Sequence, residues 1–354
     1  MIHLAFIYWD PNPVLFYLPF LHVPILWYGV LFALGFILGF PIFVGVLERF
    51  FLQRPDFEER DIKGECPHPK LIAGEKGKSQ LVKALNAWLA SDDPLEEPLP
   101  KRAARFAACS IHANLAVRRL KLEQMFADGI LSLKRQAVVL TDKLTVYMVV
   151  ATVLGARLGH FLFYENPSEY MRDPLEIFAI WKGGLASHGA AVAIVLALWL
   201  YARRYPVRQL SLLHLLDFVV VPTALAGALI RLGNFFNQEI LGTVTDLPWA
   251  VVFGHAADHS LPAPRHPVQL YEAIAYGAIF YLLWKLSFRS KFLLNKGKLL
   301  GIFLILVFGF RFVVEFWKLE QSRLVSLPLT MGQILSIPAI FIGFFLVIRN
   351  QSKV

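Results

Sequence analysis

The sequence predicts an all-α membrane protein with seven transmembrane helices, a small periplasmic head and a long cytoplasmic insertion. Its 354 residues are 56% hydrophobic and only 17% charged, whereas a soluble domain carries about a quarter charged residues. The apolar residues gather in runs of about the 20 residues that a helix needs to cross a bilayer. Basic residues fall between the runs in alternating density, the pattern that orients polytopic proteins.

The runs lie near residues 25–47, 144–164, 184–202, 212–232, 269–286, 299–317 and 331–348. They are too long, and too uniformly apolar, for the strands of a membrane barrel. Residues 1–47 hold a periplasmic N-terminal segment and the first helix. Met1 to Phe20 lacks a basic n-region and is interrupted by prolines, so it does not read as a cleavable signal peptide. The exits of the odd-numbered runs are rich in cations: Arg49, Arg54 and Arg60, then Arg203, Arg204 and Arg208, then Lys285, Arg289, Lys291, Lys296 and Lys298, then Arg349 and Lys353. The even-numbered exits hold fewer: Arg172 and Lys182, then Arg265, then Lys318 and Arg323. This places the N-terminus outside and the C-terminus in the cytoplasm. The formal charge of +9 is thus orientation information. A nucleic-acid partner is not expected, since the cations form no single patch.

Residues 48–143 form the cytoplasmic insertion, 144–236 helices two to four, 237–266 the periplasmic head, and 267–354 helices five to seven with a cytoplasmic tail. Within the insertion, 101–135 has helical periodicity and many cations, which fits either a membrane-surface helix or a solvated helical subdomain. The two cysteines, Cys66 and Cys109, both fall in the insertion. The pairs Cys66-x-His68 and Cys109-x-x-His112 lack a zinc-site spacing, so free thiols and no metal are expected.

Ionisable residues inside membrane spans are costly and mark function. Arg157 lies in the second run, His188 in the third, Arg231 at the end of the fourth, Glu272 at the start of the fifth, and Arg311 with Glu315 in the sixth. With the topology above, all sit toward the periplasmic side. Arg311 and Glu315 are one helical turn apart and share a face. Glycines beside these charges, such as Gly155, Gly159 and Gly233, allow either close helix packing or close approach of a headgroup.

The segment Arg231-Leu-Gly-Asn-Phe-Phe-Asn-Gln-Glu-Ile-Leu-Gly242 resembles the signature of the prolipoprotein diacylglyceryl transferase family. The likeness extends to Trp27-Tyr-Gly29, Gly155-Ala-Arg-Leu-Gly159, Ser187-His-Gly189, Arg265-His-Pro-Val-Gln-Leu-Tyr-Glu272, Arg311-Phe-Val-Val-Glu315 and Met331-Gly-Gln333. It runs in order from about residue 13 to 350, except across the insertion. Ile230 stands where the family has a glycine, and so does Ala190.

The resemblance implies the reaction. Phosphatidylglycerol, taken from the membrane lipid, donates its diacylglyceryl group to the lipobox cysteine of a prolipoprotein signal peptide. A thioether forms and glycerol phosphate leaves, with no cofactor. It implies a multi-pass protein of the bacterial inner membrane, active toward the periplasm. Such chemistry needs a thiolate, although a free cysteine has a pKa near 8.5, and it needs cations for the phosphate. Arg231 is the expected phosphate ligand, Arg311 is expected at the leaving phosphate or in the wall that shapes the site, His188 is the expected base, and Asn234 and Glu239 are the residues orienting the headgroup glycerol. Glu315 would orient Arg311. The matching motifs add Tyr28, Arg157, Asn237, Gly242, His266, Gln269, Tyr271 and Glu272 as substrate-binding residues.

Overall fold

The computed structural model describes residues 6–19, 23–53, 133–164, 186–204, 210–319 and 329–349. Most of the insertion, with Cys66, Cys109 and nearly all of the basic segment 101–135, lies outside these residues. So do the loop cations Arg54, Arg60, Arg172, Lys182, Arg208, Arg323 and Lys353.

The described chain is mostly helical, as its apolar runs require. The helices are α1 (Trp27–Gln53), α2 (Leu133–Tyr164), α3 (Ser187–Arg204), α4 (Leu212–Phe236), α5 (Val268–Leu286), the short α6 (Ser290–Leu293), α7 (Lys298–Val314) and α8 (Met331–Ile348). A 3-10 turn, Glu315–Trp317, follows α7. The helices α1, α2, α4, α7 with its 3-10 turn, and α8 each contain a stretch long and apolar enough to cross a membrane. The remaining two expected spans are helical but less clear-cut. α3 has 18 residues, and α5 has 19, with Gln269 and Glu272 near its start and Lys285 near its end. Prolines occur inside α1, α4 and α8, a position that membrane helices tolerate. Large apolar side chains such as Ile37, Leu162, Val192, Ile274 and Phe341 stay exposed along the helices, as surfaces facing lipid would be.

The purely α expectation needs one correction. Among the described residues, five short strands occur: β1 (Ile7–Trp9), β2 (Val14–Tyr17), β3 (Pro24–Leu26), β4 (Val251–Phe253) and β5 (Pro264–Arg265). β1 runs parallel to β4, which pairs antiparallel with β5. β2 and β3 form an irregular hairpin.

The chain clusters into two compact units. One holds Met1–Phe43 and Asp217–Val354, the other Val44–Leu216. In the latter, α2 crosses α3 at Gly155, Gly159 and Gly189. A Cβ on Gly159 would come within 2.6 Å of the Gly189 Cα, so only glycine permits this approach. The Tyr201 hydroxyl donates to the Leu140 carbonyl at 2.9 Å, pinning the other ends of the same helices.

In the former unit, the small sheet closes over the end of α4. Phe235, Leu241, Val251, Phe253 and Ala256 form its core. Trp9 stacks on Phe235 with ring centres 4.5 Å apart, and its Nε1 donates to the Phe235 carbonyl at 3.1 Å. At the opposite end of α4, fully buried Asp217 accepts the backbone N–H groups of Gly297 at 2.6 Å and Leu300 at 2.7 Å. It caps the N-terminus of α7, where four N–H groups lack helical partners and the helix dipole favours an anion.

Asp217→Ala strips this cap. We expect a loss of about 2 kcal/mol, read as a lower melting temperature in detergent, and a smaller loss for Asp217→Asn, which keeps an acceptor. Unchanged melting of Asp217→Ala would refute the cap.

Candidate active site

The site grows from the end of α4. Arg231 lies on the last turns of that helix, and the chain then turns through Gln238 and Ile240, both at positive φ (52° and 59°). A β-branched residue in the left-handed region is strained. The surrounding hydrogen bonds impose the turn. Glu239 N–H donates to the Asn234 carbonyl at 3.0 Å, Leu319 N–H to the Leu241 carbonyl at 3.0 Å, and Ala257 N–H to the Gln238 carbonyl at 3.0 Å. The Gln238 side chain donates to Asp10 Oδ1 at 3.0 Å and accepts the His255 N–H at 2.8 Å. Asp10 also meets His255 Nδ1 at 2.6 Å, and these side-chain hydrogen bonds hold its carboxyl below the usual range. Gly242 ends the turn, packed so tightly on the His266 backbone that a Cβ would collide with its carbonyl. The structure thus provides a packing reason for this glycine.

The strained turn presents a polar chain. Arg231 Nη1 donates to Asn234 Oδ1 at 3.0 Å, and Asn234 Nδ2 donates to Glu239 Oε1 at 2.7 Å. Asn237 Nδ2 reaches the same oxygen at 3.4 Å. From the first turn of α5, Gln269 Nε2 donates to the Glu239 carbonyl at 2.8 Å. Tyr28, at the start of α1, packs against Gly233, and its hydroxyl feels the charges of both Glu239 and Arg231.

Glu272 is the hub. It is fully buried, one helical turn beyond Gln269. Its Oε2 lies 3.0 Å from Arg231 Nε, an ion-pair distance off the hydrogen-bond direction, so Oε2 has no hydrogen bond among the described residues. Its Oε1 accepts Lys318 Nζ at 2.9 Å and the Tyr276 hydroxyl at 3.2 Å. Lys318 also lies 3.5 Å from Glu315 Oε2. Burial pushes the Lys318 pKa down, against the pull of Glu272. The sequence reading missed Lys318, which it counted as a loop charge. Its three-residue spacing from Glu315 was the available signal, because those positions share a helical face.

Arg311, on α7, is half-buried, and its guanidinium has no hydrogen bond or ion pair among the described residues. Its charge and that of Arg231 both act on the Tyr276 hydroxyl. The two arginines, on different helices, thus share the electrostatic neighbourhood of that hydroxyl. Glu315 does not pair with Arg311, contrary to the orienting role expected of it. It turns to Lys318 and lies over the first turn of α8, where a Cβ on Gly332 would come 2.5 Å from Oε1. Gln333 completes the capping box of that helix with Thr330. This explains why the Met331-Gly-Gln333 motif belongs with Glu315.

His266 and Tyr271 form a separate aromatic group. The Tyr271 hydroxyl accepts Trp249 Nε1 at 2.8 Å and lies 3.2 Å from His266 Nδ1. Burial moves the His266 pKa below its ordinary value. No hydrogen bond joins this pair to the Arg231 chain among the described residues. Arg265 is structural, donating to the Gly242 carbonyl at 3.3 Å and Ser260 Oγ at 3.2 Å.

Arg157 and His188 belong to the other unit. Arg157 is buried with its guanidinium 4.5 Å from the Phe161 ring centre. His188 is half-buried at the start of α3, beside the glycine crossing. Among the described residues no cluster of three or more His, Cys, Asp or Glu has metal-holding geometry.

The family model for prolipoprotein diacylglyceryl transferase matches residues 106–349. A Protochlamydia amoebophila protein named phosphatidylglycerol–prolipoprotein diacylglyceryl transferase is 41% identical over 362 residues, covering 99% of this chain and 96% of its own. That alignment runs through the insertion. A protein of the same name from Tolumonas auensis is 47% identical over 213 residues, 60% of this chain and 80% of its own. One from Porphyromonas gingivalis is 42% identical over 222 residues, with coverage of 59% and 76%.

Removing Glu272 strands two cations. Glu272→Gln should cost about 3 kcal/mol, as when one partner of a buried pair is lost, and adding Lys318→Met should restore part of it. Thermal melts in detergent check both. A double variant no more stable than the single one would break the proposed coupling.

Proposed function

The chain belongs to the prolipoprotein diacylglyceryl transferase family, and we propose that it moves the diacylglyceryl group of phosphatidylglycerol onto the lipobox cysteine of a prolipoprotein signal peptide. One observation carries the mechanism. Arg231 and Arg311, on different helices, both act electrostatically on Tyr276 and keep guanidinium donors that no described residue takes. Arg231 uses Nε and Nη1 on Glu272 and Asn234, while Nη2 has no partner among the described residues. Arg311 engages none of its donors among the described residues. A lipid phosphate suits these forks, and a site poor in water strengthens the attraction.

The thiolate sulfur attacks the glycerol carbon that carries the phosphate ester. A carbon–sulfur bond forms, the carbon–oxygen bond breaks, and the electron pair leaves with glycerol phosphate. The two arginines stabilise that leaving charge. From the family resemblance, His188 is assigned the thiol proton, and Arg157, His266 and Tyr271 are assigned to substrate contact.

Seven helices cross the membrane in this reading. At 1.5 Å per residue, α3 and α5 reach roughly 27–29 Å, near the ~30 Å hydrocarbon thickness. The N-terminus and the sheet lie in the periplasm, the C-terminus and the insertion in the cytoplasm, and the site opens outward in the bacterial inner membrane. The cation-rich odd-numbered exits support this orientation.

With purified protein, labelled phosphatidylglycerol and a lipobox peptide, thioether-linked product is expected. Lipid movement without bond formation would make the protein a transporter. Arg231→Ala and Arg311→Ala should each lower kcat/KM by about 1,000-fold, and lysine should rescue poorly because it lacks the fork. His188→Gln should lose about 100-fold or more if it is the base. Near-normal rates for both arginine variants would end the phosphate assignment. For orientation, a cysteine placed at Thr243 should react with an impermeant thiol reagent in intact cells. Labelling only after lysis would reverse the topology.

A further inference from the structure

The polar groups around Glu239 are unequally occupied. Asn234 has a protein partner at each end of its amide, with Oδ1 accepting from Arg231 and Nδ2 donating to Glu239. It positions both neighbours. Gln269 differs. It is fully buried, and Nε2 donates to the Glu239 carbonyl at 2.8 Å. That bond fixes the amide, since the reverse orientation would set two acceptor oxygens against each other. Oε1 is then buried without a hydrogen-bond donor among the described residues. Asn237 repeats the pattern. Nδ2 lies 3.4 Å from Glu239 Oε1, and Oδ1 is buried and unpaired among the described residues.

Buried unpaired acceptors are rare in native proteins and ask for a donor. Both amides attach to Glu239, one through its carbonyl and one through its carboxylate, and the Glu239 side chain connects through Asn234 to Arg231. The unfilled oxygens thus belong to the group that faces the phosphate-binding arginine. What they lack is O–H or N–H, not charge.

Resting on the transferase reading, we propose that Gln269 Oε1 and Asn237 Oδ1 form an acceptor subsite for the free hydroxyls of the donor lipid's headgroup glycerol. The arginines hold the phosphate, and the two amides select for the hydroxyl-bearing group beyond it. A headgroup of the same length without hydroxyls leaves both oxygens unpaired, and a site built to bond a hydroxyl discriminates against a substrate that lacks it.

The test is a cycle between residue and substrate. Full-length protein acts on a lipobox peptide with either phosphatidylglycerol or phosphatidylpropanol, which lacks both hydroxyls. The unaltered protein should favour phosphatidylglycerol in kcat/KM by about ten-fold or more. In Gln269→Met the ratio should fall to within about two-fold. Displacement of Glu239 alone would slow both donors equally and leave the ratio intact. Asn237→Ala should also reduce the ratio, and it decides the matter if Gln269→Met does not fold. No preference in the unaltered protein, or a full preference in the folded Gln269→Met or in Asn237→Ala, overturns the subsite. Absence of transfer from either donor by the unaltered protein overturns the transferase reading itself, and the subsite with it.

Discussion

A carboxylate with no exposed surface cannot stay charged without cations beside it, and Glu272 is such a group. Its two partners come from different parts of the chain: Arg231 from α4 and Lys318 from just beyond α7. The pairing draws those helices to α5 and sets the position of the arginine. It also leaves Arg231 Nη2 without a partner among the described residues. The same electrostatic need that stabilises the interior therefore holds a cationic donor group in place.

The second constraint is the turn after α4. Ile240 would not adopt a positive φ unaided. It is held there because the sheet, Gln238, Asp10 and the loop at Leu319 all bond to the turn. Strain of this kind persists only where the surroundings over-determine it. Here it directs the Glu239 carboxylate back toward Asn234 and Arg231 rather than away from them. Phe235 and Trp9 close the apolar side of the same turn, so the polar face has one orientation.

Arg311 and Glu315 show where sequence spacing misleads. They lie one turn apart, which suggests a mutual ion pair. In the fold Glu315 is drawn to Lys318 and to the first turn of α8, where Gly332 leaves room for it. Arg311 keeps its donors free of every described residue. For phosphate chemistry this is the more useful outcome, since a cation already neutralised by its neighbour attracts a phosphate less strongly.

Helices, their approximate ends and the unusual charges were legible in the sequence, because a long apolar run interrupted by arginine or glutamate is a local signal with a strong energetic cause. The signature from Arg231 to Gly242 was likewise legible as a contiguous string. The strands were not. β1, β4 and β5 have two or three residues each, too few for alternation to register, and Ile7 pairs with Val251 from the far end of the chain. Nor were the role of Lys318, the free donors of Arg311 or the unfilled oxygens of Gln269 and Asn237. Whether a polar atom is already satisfied depends on what packs against it from distant segments, and only the folded arrangement supplies that.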